Sequence, residues 1–388
     1  MWFFRSPDIV FGEGALDYLA QLKGNKALIV TDQNIVALGY AEKVEAKLAE
    51  AGIETAVFDE VEPEPSLQTA RRVAHVAQTQ EPDLIIALGG GSCIDAAKAG
   101  WFLYERPDLD LDRLSPFEDL GMGEKGRMIA IPTTSGTGSE VTIGSVLTDK
   151  EESRKVGLGS AEIVPDIAIV DPVFVMDLPP RITADTGLDA LTHAVEGFTC
   201  TWYNDFSDGL CLKAIGTIFE YLPRAYELGA KDPEAREKMH NAATIAGLGF
   251  GNAMVALAHA TGHSLGAVFG TPHGRAVALF LPYTIEFTAN RGGSRYAEIA
   301  RYLGLPAVDE ATGAASLVAA ILQLYQRLEQ PASISALGID KKALTEALPL
   351  LVDNAETDTQ IVSSASVPDS EEMERLFLYA YEGKPIDF

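Results

Sequence analysis

In the first half of the chain, short apolar runs alternate with longer segments whose apolar positions recur at helical spacing. The runs are continuous and rich in Val, Ile and Leu, which is typical of strands buried on both faces of a parallel sheet. We therefore predict a mostly parallel sheet with helices on both faces. The predicted strands are Lys26–Thr31, Thr55–Phe58, Asp83–Leu88, Met128–Ile131 and Ile167–Val170, and the predicted helices between them are Ala41–Ala51 and Ser66–Gln78.

The pattern changes after Thr183, where strand-like runs become rare and apolar residues keep helical spacing. The length of 388 residues also favours two domains. With the boundary at Pro179-Pro180, we predict an α/β amino-terminal domain over residues 1–180 and an all-α carboxy-terminal domain over residues 181–388. The helices predicted in the second domain include Asp185–Phe198, Leu210–Leu222, Ala235–Phe250 and Leu317–Leu328.

The net charge, the apolar runs and the cysteines of the chain limit its possible binding partners and its cellular compartment. The formal net charge of −26 would repel phosphate backbones and anionic lipid, so we expect no nucleic-acid and no membrane partner. No run is long and apolar enough to cross a bilayer, and the start MWFFRSPD lacks a signal-peptide pattern, so we expect a cytoplasmic protein. Three cysteines without metal-binding spacing suit a reducing compartment, and they leave nitrogen and oxygen as the main metal ligands.

A glycine-rich turn follows the predicted strand Asp83–Leu88. Gly89, Gly90, Gly91 and Ser92 stand between that strand and a predicted helix. Glycines let the backbone approach a ligand closely, and the start of a helix offers unpaired N–H groups, so the turn suits a pyrophosphate. The alternative is local structure, because Ser92 and Asp95 have the spacing of a capping box.

Two further features favour a dinucleotide. Asp32 ends a predicted strand, where a carboxylate can accept hydrogen bonds from a ribose diol and repel a 2′-phosphate, which favours NAD over NADP; the alternative is a helix cap. The run Pro132–Glu140 places several Thr, Ser and Gly residues at the carboxyl end of another predicted strand, where open α/β sheets bind ligands. Because Asp32 precedes the glycine turn, the order differs from the usual dinucleotide fingerprint and indicates another nucleotide-binding topology.

Four of the six histidines fall in two compact motifs, which indicates a metal site: the first is DALTH, and the second is HATGH followed shortly by TPHG. The motifs DALTH and HATGH each place two candidate ligands at i and i+4 on one helix face. We expect Thr271-Pro272 to break the second helix and bring the histidine of TPHG back. The spacing of these residues gives five candidate ligands for a site that would need about four ligands from the protein. It does not select the metal, because Fe²⁺, Zn²⁺, Mn²⁺ and Co²⁺ all bind nitrogen and oxygen ligands. The candidates are Asp189, His193, His259, His263 and His273; His75 and His240 are interpreted as ordinary surface or helix residues.

These motifs together resemble the iron-containing (group III) alcohol dehydrogenases, the family of lactaldehyde:propanediol oxidoreductase and 1,3-propanediol dehydrogenase. The resemblance implies a dinucleotide-binding domain, a helical metal-binding domain and an active site in the cleft between them. The matching segments are FGEGAL (11–16), ALIVTD (27–32), GGGSCIDAAKA (89–99), IPTTSGTGSEVT (131–142), DALTHAVEG (189–197) and HATGHSLGAVFGTPHG (259–274).

Carried over position by position, the resemblance implies three groups of site residues. The metal ligands fall on Asp189, His193, His259 and His273, and His263 becomes the non-ligand histidine near the nicotinamide. The pyrophosphate contacts fall on Gly90, Gly91 and Ser92, the ribose contact on Asp32, and further cofactor-lining positions on Thr133, Thr134, Thr142 and Lys155. The sequence departs from the family pattern at Cys93, where proline is common, and at SSASVPDSEEME, where an Asn-Pro-Arg element is usual.

The function expected from this resemblance is NAD-dependent interconversion of small primary alcohols or diols and their aldehydes. The expected cofactors are NAD and Fe²⁺, or Zn²⁺ or another divalent cation, and the expected assembly is a homo-oligomer, with a dimer favoured. We expect His263 to relay the hydroxyl proton and Phe250 either to line the pocket or to pack in the core. The alternatives are polyol oxidation as in glycerol dehydrogenase, a dehydroquinate synthase-like lyase that uses NAD transiently, and a sensor without turnover. Anionic substrates are disfavoured, because no Lys and Arg cluster lies near the histidines in the sequence.

Overall fold

A computed structural model of the chain describes residues 3–109, 111, 120–151, 154–293 and 295–388. The chain divides into two compact units, Met1–Leu178 and Pro179–Phe388. Each unit has its own buried core.

The first unit is built on a six-stranded sheet in which every described pairing is parallel. The strands predicted from continuous apolar runs all form, within one or two residues of the predicted bounds. The sheet strands are β1 Asp8–Phe11, β2 Lys26–Val30, β3 Glu54–Phe58, β4 Leu84–Gly89, β5 Arg127–Pro132 and β8 Ile167–Val170. Across the sheet they lie in the order β1-β8-β5-β4-β2-β3. The helices of this unit are α1 Gln33–Ala37, α2 Tyr40–Glu50, α3 Leu67–Gln80 and α4 Gly91–Glu105.

Both faces of the sheet are covered, as the apolar pattern predicts. Alternate residues of the central strands face opposite sides: Ile86 and Ile129 pack with α1 and α2, whereas Ile85 and Met128 pack with α3 and α4. Because side chains alternate along a strand, a strand covered on both faces needs apolar residues at successive positions.

Two strand regions were not predicted. Strand β1 lies at the edge of the sheet, none of its residues is fully buried, and its apolar run is only three residues long, Ile9 to Phe11. Strands β6 (Gly144–Asp149) and β7 (Arg154–Gly159) form a separate antiparallel hairpin. The buried positions of β6 alternate with partly exposed ones, which gives a weaker signal than the central strands do.

All strand and helix structure in the described residues of the second unit is helical, which confirms the predicted all-α region. None of the described helices of the chain combines the length and apolar character needed to cross a membrane. The helices are α5 Pro180–Thr199, α6 Asp205–Leu228, α7 Pro233–Gly251, α8 Leu257–Phe269, α9 His273–Asn290, α10 Tyr296–Tyr302, α11 Glu310–Arg327, α12 Lys341–Thr357 and α13 Ser370–Glu382.

The histidine-bearing helices end differently from the prediction. Helix α8 ends before Gly270, whose φ of 66° lies in the left-handed region that glycine adopts readily, so the helix stops ahead of Thr271-Pro272. Pro272 instead precedes the first residue of α9, His273. Phe250 lies in the last turn of α7, and His259 lies in the first turn of α8.

Candidate functional site

Four side chains of the second unit converge on one small volume. Oδ1 of Asp189 lies 3.8 Å from Nδ1 of His193, 3.9 Å from Nε2 of His259 and 3.4 Å from Nε2 of His273. One ligand atom from each of the four residues lies within 4.8 Å of the others. These are the four positions at which the family resemblance places the metal ligands.

Three helices bring these side chains together. Asp189 and His193 lie one turn apart on α5, His259 lies in the first turn of α8, and His273 opens α9. The start of α9 approaches α5 closely at Gly274, where a Cβ atom would lie 2.3 Å from the backbone oxygen of Asp185. Only glycine allows this approach, which places His273 beside Asp189.

The donors fit a divalent cation. Oδ1 of Asp189, Nδ1 of His193 and Nε2 of His259 are buried and have no hydrogen-bond partner among the described residues. Unsatisfied buried polar atoms cost about 1–3 kcal/mol each, so three of them facing one volume indicate a partner outside the chain. One carboxylate and three imidazoles suit Fe²⁺, Zn²⁺ and similar ions.

Glu196 contacts the ring nitrogen of His259 that faces away from the cluster, and the sequence analysis did not predict this contact. Its Oε2 atom lies 2.5 Å from Nδ1 of His259 and accepts a hydrogen bond from the Ala256 amide, and its Oε1 atom accepts one from the Ala258 amide. A carboxylate at Nδ1 leaves Nε2 of the imidazole as the free acceptor. The sequence does contain a signal, because Glu196 follows Asp189 by seven residues and so lies on the same face of α5.

His263 has a partner of its own. Nδ1 of His263 lies 2.7 Å from Oδ2 of Asp358, and its Nε2 atom is buried without a partner among the described residues. The ring centres of His263 and His273 are 5.2 Å apart, so His263 borders the cluster. Nothing local in the sequence marks Asp358, which is 95 residues away and caps a short helical turn.

Burial and neighbouring groups set the protonation of the cluster. Burial lowers the pKa of His193 to about 3 and that of His259 well below its usual value. Although burial opposes ionisation of Asp189, the adjacent histidines hold the pKa of its carboxyl group well below the usual range. Neutral imidazoles around an ionised carboxylate are the forms that bind a metal ion. Burial also raises the pKa of Glu196 to about 7.

Phe250 contacts the cluster directly. Its ring stacks on His193, with 4.1 Å between ring centres and 9° between planes. Phe250 is half-buried, so the ring covers one face of a candidate ligand and is also partly exposed.

In the first unit, the glycine turn packs against the Thr-rich run. A Cβ atom on Gly90 would lie 3.2 Å from Thr134, and one on Gly91 would lie 2.6 Å from Thr137. The amide of Thr133 donates to the oxygen of Gly89, across the register that pairs β4 with β5. The two predicted ligand-binding segments therefore meet at the carboxyl ends of neighbouring parallel strands.

The predicted Ser92–Asp95 capping box does not form. Gly90 is the N-cap of α4, and no side chain caps that helix. The Asp95 carboxylate instead accepts a hydrogen bond from the Val146 amide, a partner distant in sequence. The alternative, purely local explanation of Ser92 is therefore wrong, and the first turn of α4 keeps its amide groups free of a side-chain cap.

Asp32 does act as a helix cap. Its Oδ1 atom accepts hydrogen bonds from the amides of Asn34 and Ile35, and its Oδ2 atom lies 3.4 Å from the thiol of Cys93. Burial, together with Asp32, raises the pKa of the Cys93 thiol well above its usual value, so the thiol is a donor at neutral pH. The side chain of Cys93 thus links the first turn of α4 to Asp32.

The remaining predicted cofactor residues, Thr142 and Lys155, have partners within the first unit. Thr142 receives hydrogen bonds from the buried ammonium group of Lys98. Lys155 donates to the Thr148 hydroxyl and contacts the Glu64 carboxylate. Neither Lys98 nor Glu64 was singled out from the sequence.

Comparison with family models gives the class of protein that combines this parallel α/β unit, the glycine turn and the aspartate–histidine cluster. Two family models match: iron-containing alcohol dehydrogenase over residues 6–172, and the carboxy-terminal part of the Fe-containing alcohol dehydrogenase family over residues 183–381. The chain belongs to the iron-containing alcohol dehydrogenase family.

Individual relatives agree with this assignment. The chain is 39% identical to an NADPH-dependent butanol dehydrogenase of Clostridium saccharobutylicum, over 100% of both proteins. It is 39% identical to the bifunctional aldehyde-alcohol dehydrogenase of Escherichia coli, but there 99% of the chain spans only 46% of the relative. An iron-containing alcohol dehydrogenase from Thermococcus thioreducens superposes with a TM-score of 0.89 at 34% identity, covering 99% of this chain and 100% of that one.

Proposed function

We propose that this protein is a metal-dependent alcohol dehydrogenase that interconverts small primary alcohols or diols and their aldehydes with NAD(H). The observation that carries the proposal is the convergence of Asp189, His193, His259 and His273 within 4.8 Å. Among the described residues, the buried ligand atoms of the first three have no hydrogen-bond partner. Names of relatives support the substrate class, because one is a butanol dehydrogenase and another, from Citrobacter freundii, a 1-propanol dehydrogenase.

In this proposal the four side chains hold Fe²⁺, Zn²⁺ or another divalent cation, which when bound would supply a Lewis acid for the alcohol or carbonyl oxygen. Glu196 holds His259 with its Nε2 atom directed at the cluster, and Phe250 covers one face of His193. Asp358 accepts from Nδ1 of His263 and so leaves Nε2 of that ring as an acceptor. His263 is proposed to take the hydroxyl proton at Nε2 and pass it on, while the nicotinamide supplies the hydride acceptor.

The dinucleotide is proposed to bind the first unit at Gly90, Gly91 and Ser92, with Thr133, Thr134, Thr142 and Lys155 lining the cofactor site. The contact between the glycine turn and the Thr-rich run supports this assignment. Asp32 supports NAD over NADP, because a carboxylate at the end of β2 would repel a 2′-phosphate. Since the Clostridium relative is named for NADPH, both nucleotides belong in the test.

The test measures NADH or NADPH formation by metal-stripped protein that has been reconstituted separately with Fe²⁺ or Zn²⁺. The substrates are ethanol, butanol, 1,2- and 1,3-propanediol and glycerol. His259→Ala removes one candidate ligand, and His75→Ala is the matched control, because His75 is exposed on α3 of the other unit. We expect metal-restored turnover that is lost in His259→Ala and kept in His75→Ala.

If the metal-stripped protein takes up neither Fe²⁺ nor Zn²⁺, the proposed metal site is refuted. Metal and nucleotide uptake without net reduction of NAD or NADP would refute the dehydrogenase and favour a lyase. If glycerol is oxidised in preference to the other substrates, the proposed substrate class changes from small primary alcohols to polyols, as in glycerol dehydrogenase.

We also propose that the protein is cytoplasmic and forms a homo-oligomer, with a dimer favoured. Three buried free cysteines support a reducing compartment. Light scattering coupled to size-exclusion chromatography measures the assembly directly, and a monomeric mass would refute the oligomer.

A further inference from the structure

Lys98 is a fully buried cation in the first unit. Its ammonium group donates to the Thr142 oxygen at 2.7 Å, to the Thr142 hydroxyl at 3.2 Å and to the Gly144 oxygen at 2.8 Å. Three oxygen acceptors match the three N–H donors of a lysine side chain. Burying a charged ammonium group is costly, and burial lowers the pKa of Lys98 to about 8.

The same face of α4 makes two further contacts with this segment. Asp95, one turn before Lys98, accepts from the Val146 amide at 2.9 Å through its carboxylate and from the Ser145 hydroxyl at 3.0 Å through its backbone oxygen. Asp95 and Lys98 together bind successive positions of residues 142–146. The segment therefore has its place set by a helix rather than by its own hairpin alone.

Helix α4 begins at Gly91, inside the glycine turn, and Thr142 is a proposed cofactor-lining residue. We infer that Lys98 is a positioning residue for the dinucleotide site, because its ammonium group fixes the backbone of Thr142 and Gly144 relative to the helix that starts at the glycine turn. This inference rests on the proposed function, in which both segments bind the dinucleotide. Lys98 acts through Thr142 and is itself enclosed by protein.

The test compares Lys98→Met with the wild-type protein and with Lys23→Met, which changes an exposed lysine of the same unit. NADH and NADPH affinity is measured by fluorescence titration, metal affinity by Fe²⁺ or Zn²⁺ titration, and backbone protection by hydrogen exchange of residues 142–149. Loss of the three hydrogen bonds should free the segment, and the cost of ordering it again on binding, if equal to one hydrogen bond to a charged group, corresponds to about ten-fold or more in affinity. We expect dinucleotide affinity to fall about ten-fold or more in Lys98→Met, exchange of residues 142–149 to accelerate, and metal affinity to stay within about two-fold.

Lys98→Gln is the second variant, to be used if the methionine variant does not fold, because it keeps a hydrogen-bond donor at this position. Unchanged dinucleotide affinity in a folded Lys98 variant, or unchanged protection of residues 142–149, would overturn the inference. An equal loss of metal affinity would also overturn it, since it would show general destabilisation. If the wild-type protein binds neither nucleotide, the proposed function fails, whereas the exchange measurement still decides whether Lys98 fixes the segment.

Discussion

Replacing Glu196 by glutamine changes one oxygen to an amide and keeps the shape of the side chain. In the wild-type protein Oε1 accepts one amide N–H, and Oε2 accepts another while facing Nδ1 of His259. An NH₂ group at the first position would face the Ala258 donor. At the second position it would face the Ala256 amide and the imidazole, so either orientation places donors opposite each other.

The expected loss is worked from these contacts. A buried donor left unsatisfied costs about 1–3 kcal/mol. If the NH₂ group of the glutamine faces the Ala258 amide, we expect the free energy of unfolding to fall. If it faces His259, we expect metal affinity to fall, because the imidazole loses the acceptor that orients it. Loss of a partner that orients a metal-binding histidine typically costs about 10–100-fold in metal affinity, or roughly 1.4–2.7 kcal/mol.

The assay is a competition titration of Zn²⁺ against a chelator, with the melting temperature of the metal-free protein measured alongside. Glu220→Gln is the control, because it makes the same chemical change at an exposed position of α6. We expect Glu196→Gln to lose affinity, stability or both, with Glu220→Gln close to wild type. Wild-type affinity together with a wild-type melting temperature in Glu196→Gln would refute the role assigned to this carboxylate.

Three further predictions follow from close contacts and buried charge. Gly274→Ala should destabilise the protein by about 1–3 kcal/mol and lower metal uptake, because its Cβ would lie 2.3 Å from the backbone of α5. Gly209→Ala, which lies in helix α6 with open space around it, should leave metal uptake unchanged and keep or raise stability, by up to about 1 kcal/mol, in the same melting and metal assays. Asp358→Asn should lower turnover about ten-fold or more with unchanged metal content, because it removes the carboxylate that orients His263, and equal turnover would contradict the relay. Burial lowers the pKa of His240 from 6.5 to about 4, so the unfolded chain binds the extra proton first and stability falls as the pH drops below about 6.5. Between pH 7 and pH 5, urea unfolding should show wild type losing about 2 kcal/mol more than His240→Leu, and parallel losses would disprove this assignment.

The central strands and the long helices could be predicted because the pattern of apolar residues within each segment shows which of its faces are buried. A strand covered on both faces, such as Leu84–Gly89, is apolar at every position, and the helix bearing Asp189 and His193 repeats its apolar residues every turn. Strand Asp8–Phe11 could not be predicted in this way, because it lies at a sheet edge with its side chains at least partly exposed.

The contacts that were missed or mistaken depend on residues far apart in the sequence. Asp95 has the spacing of a local cap, but its carboxylate bonds to Val146, and only the folded chain brings that amide close. Asp358 reaches His263 across 95 residues. By contrast, the four candidate ligands lie in compact motifs because each helix contributes its donors within a turn or at its first residue.

The origin of those ligands on three separate helices has a consequence for folding. An ion held by α5, α8 and α9 joins segments that the unfolded chain keeps apart, so it binds the native state in preference to the unfolded one. By mass action, free ion at about a hundred times its dissociation constant adds roughly 2.7 kcal/mol to the free energy of unfolding. The supply of metal would then govern how long the helical unit resists unfolding and proteolysis, as well as whether it can turn over substrate.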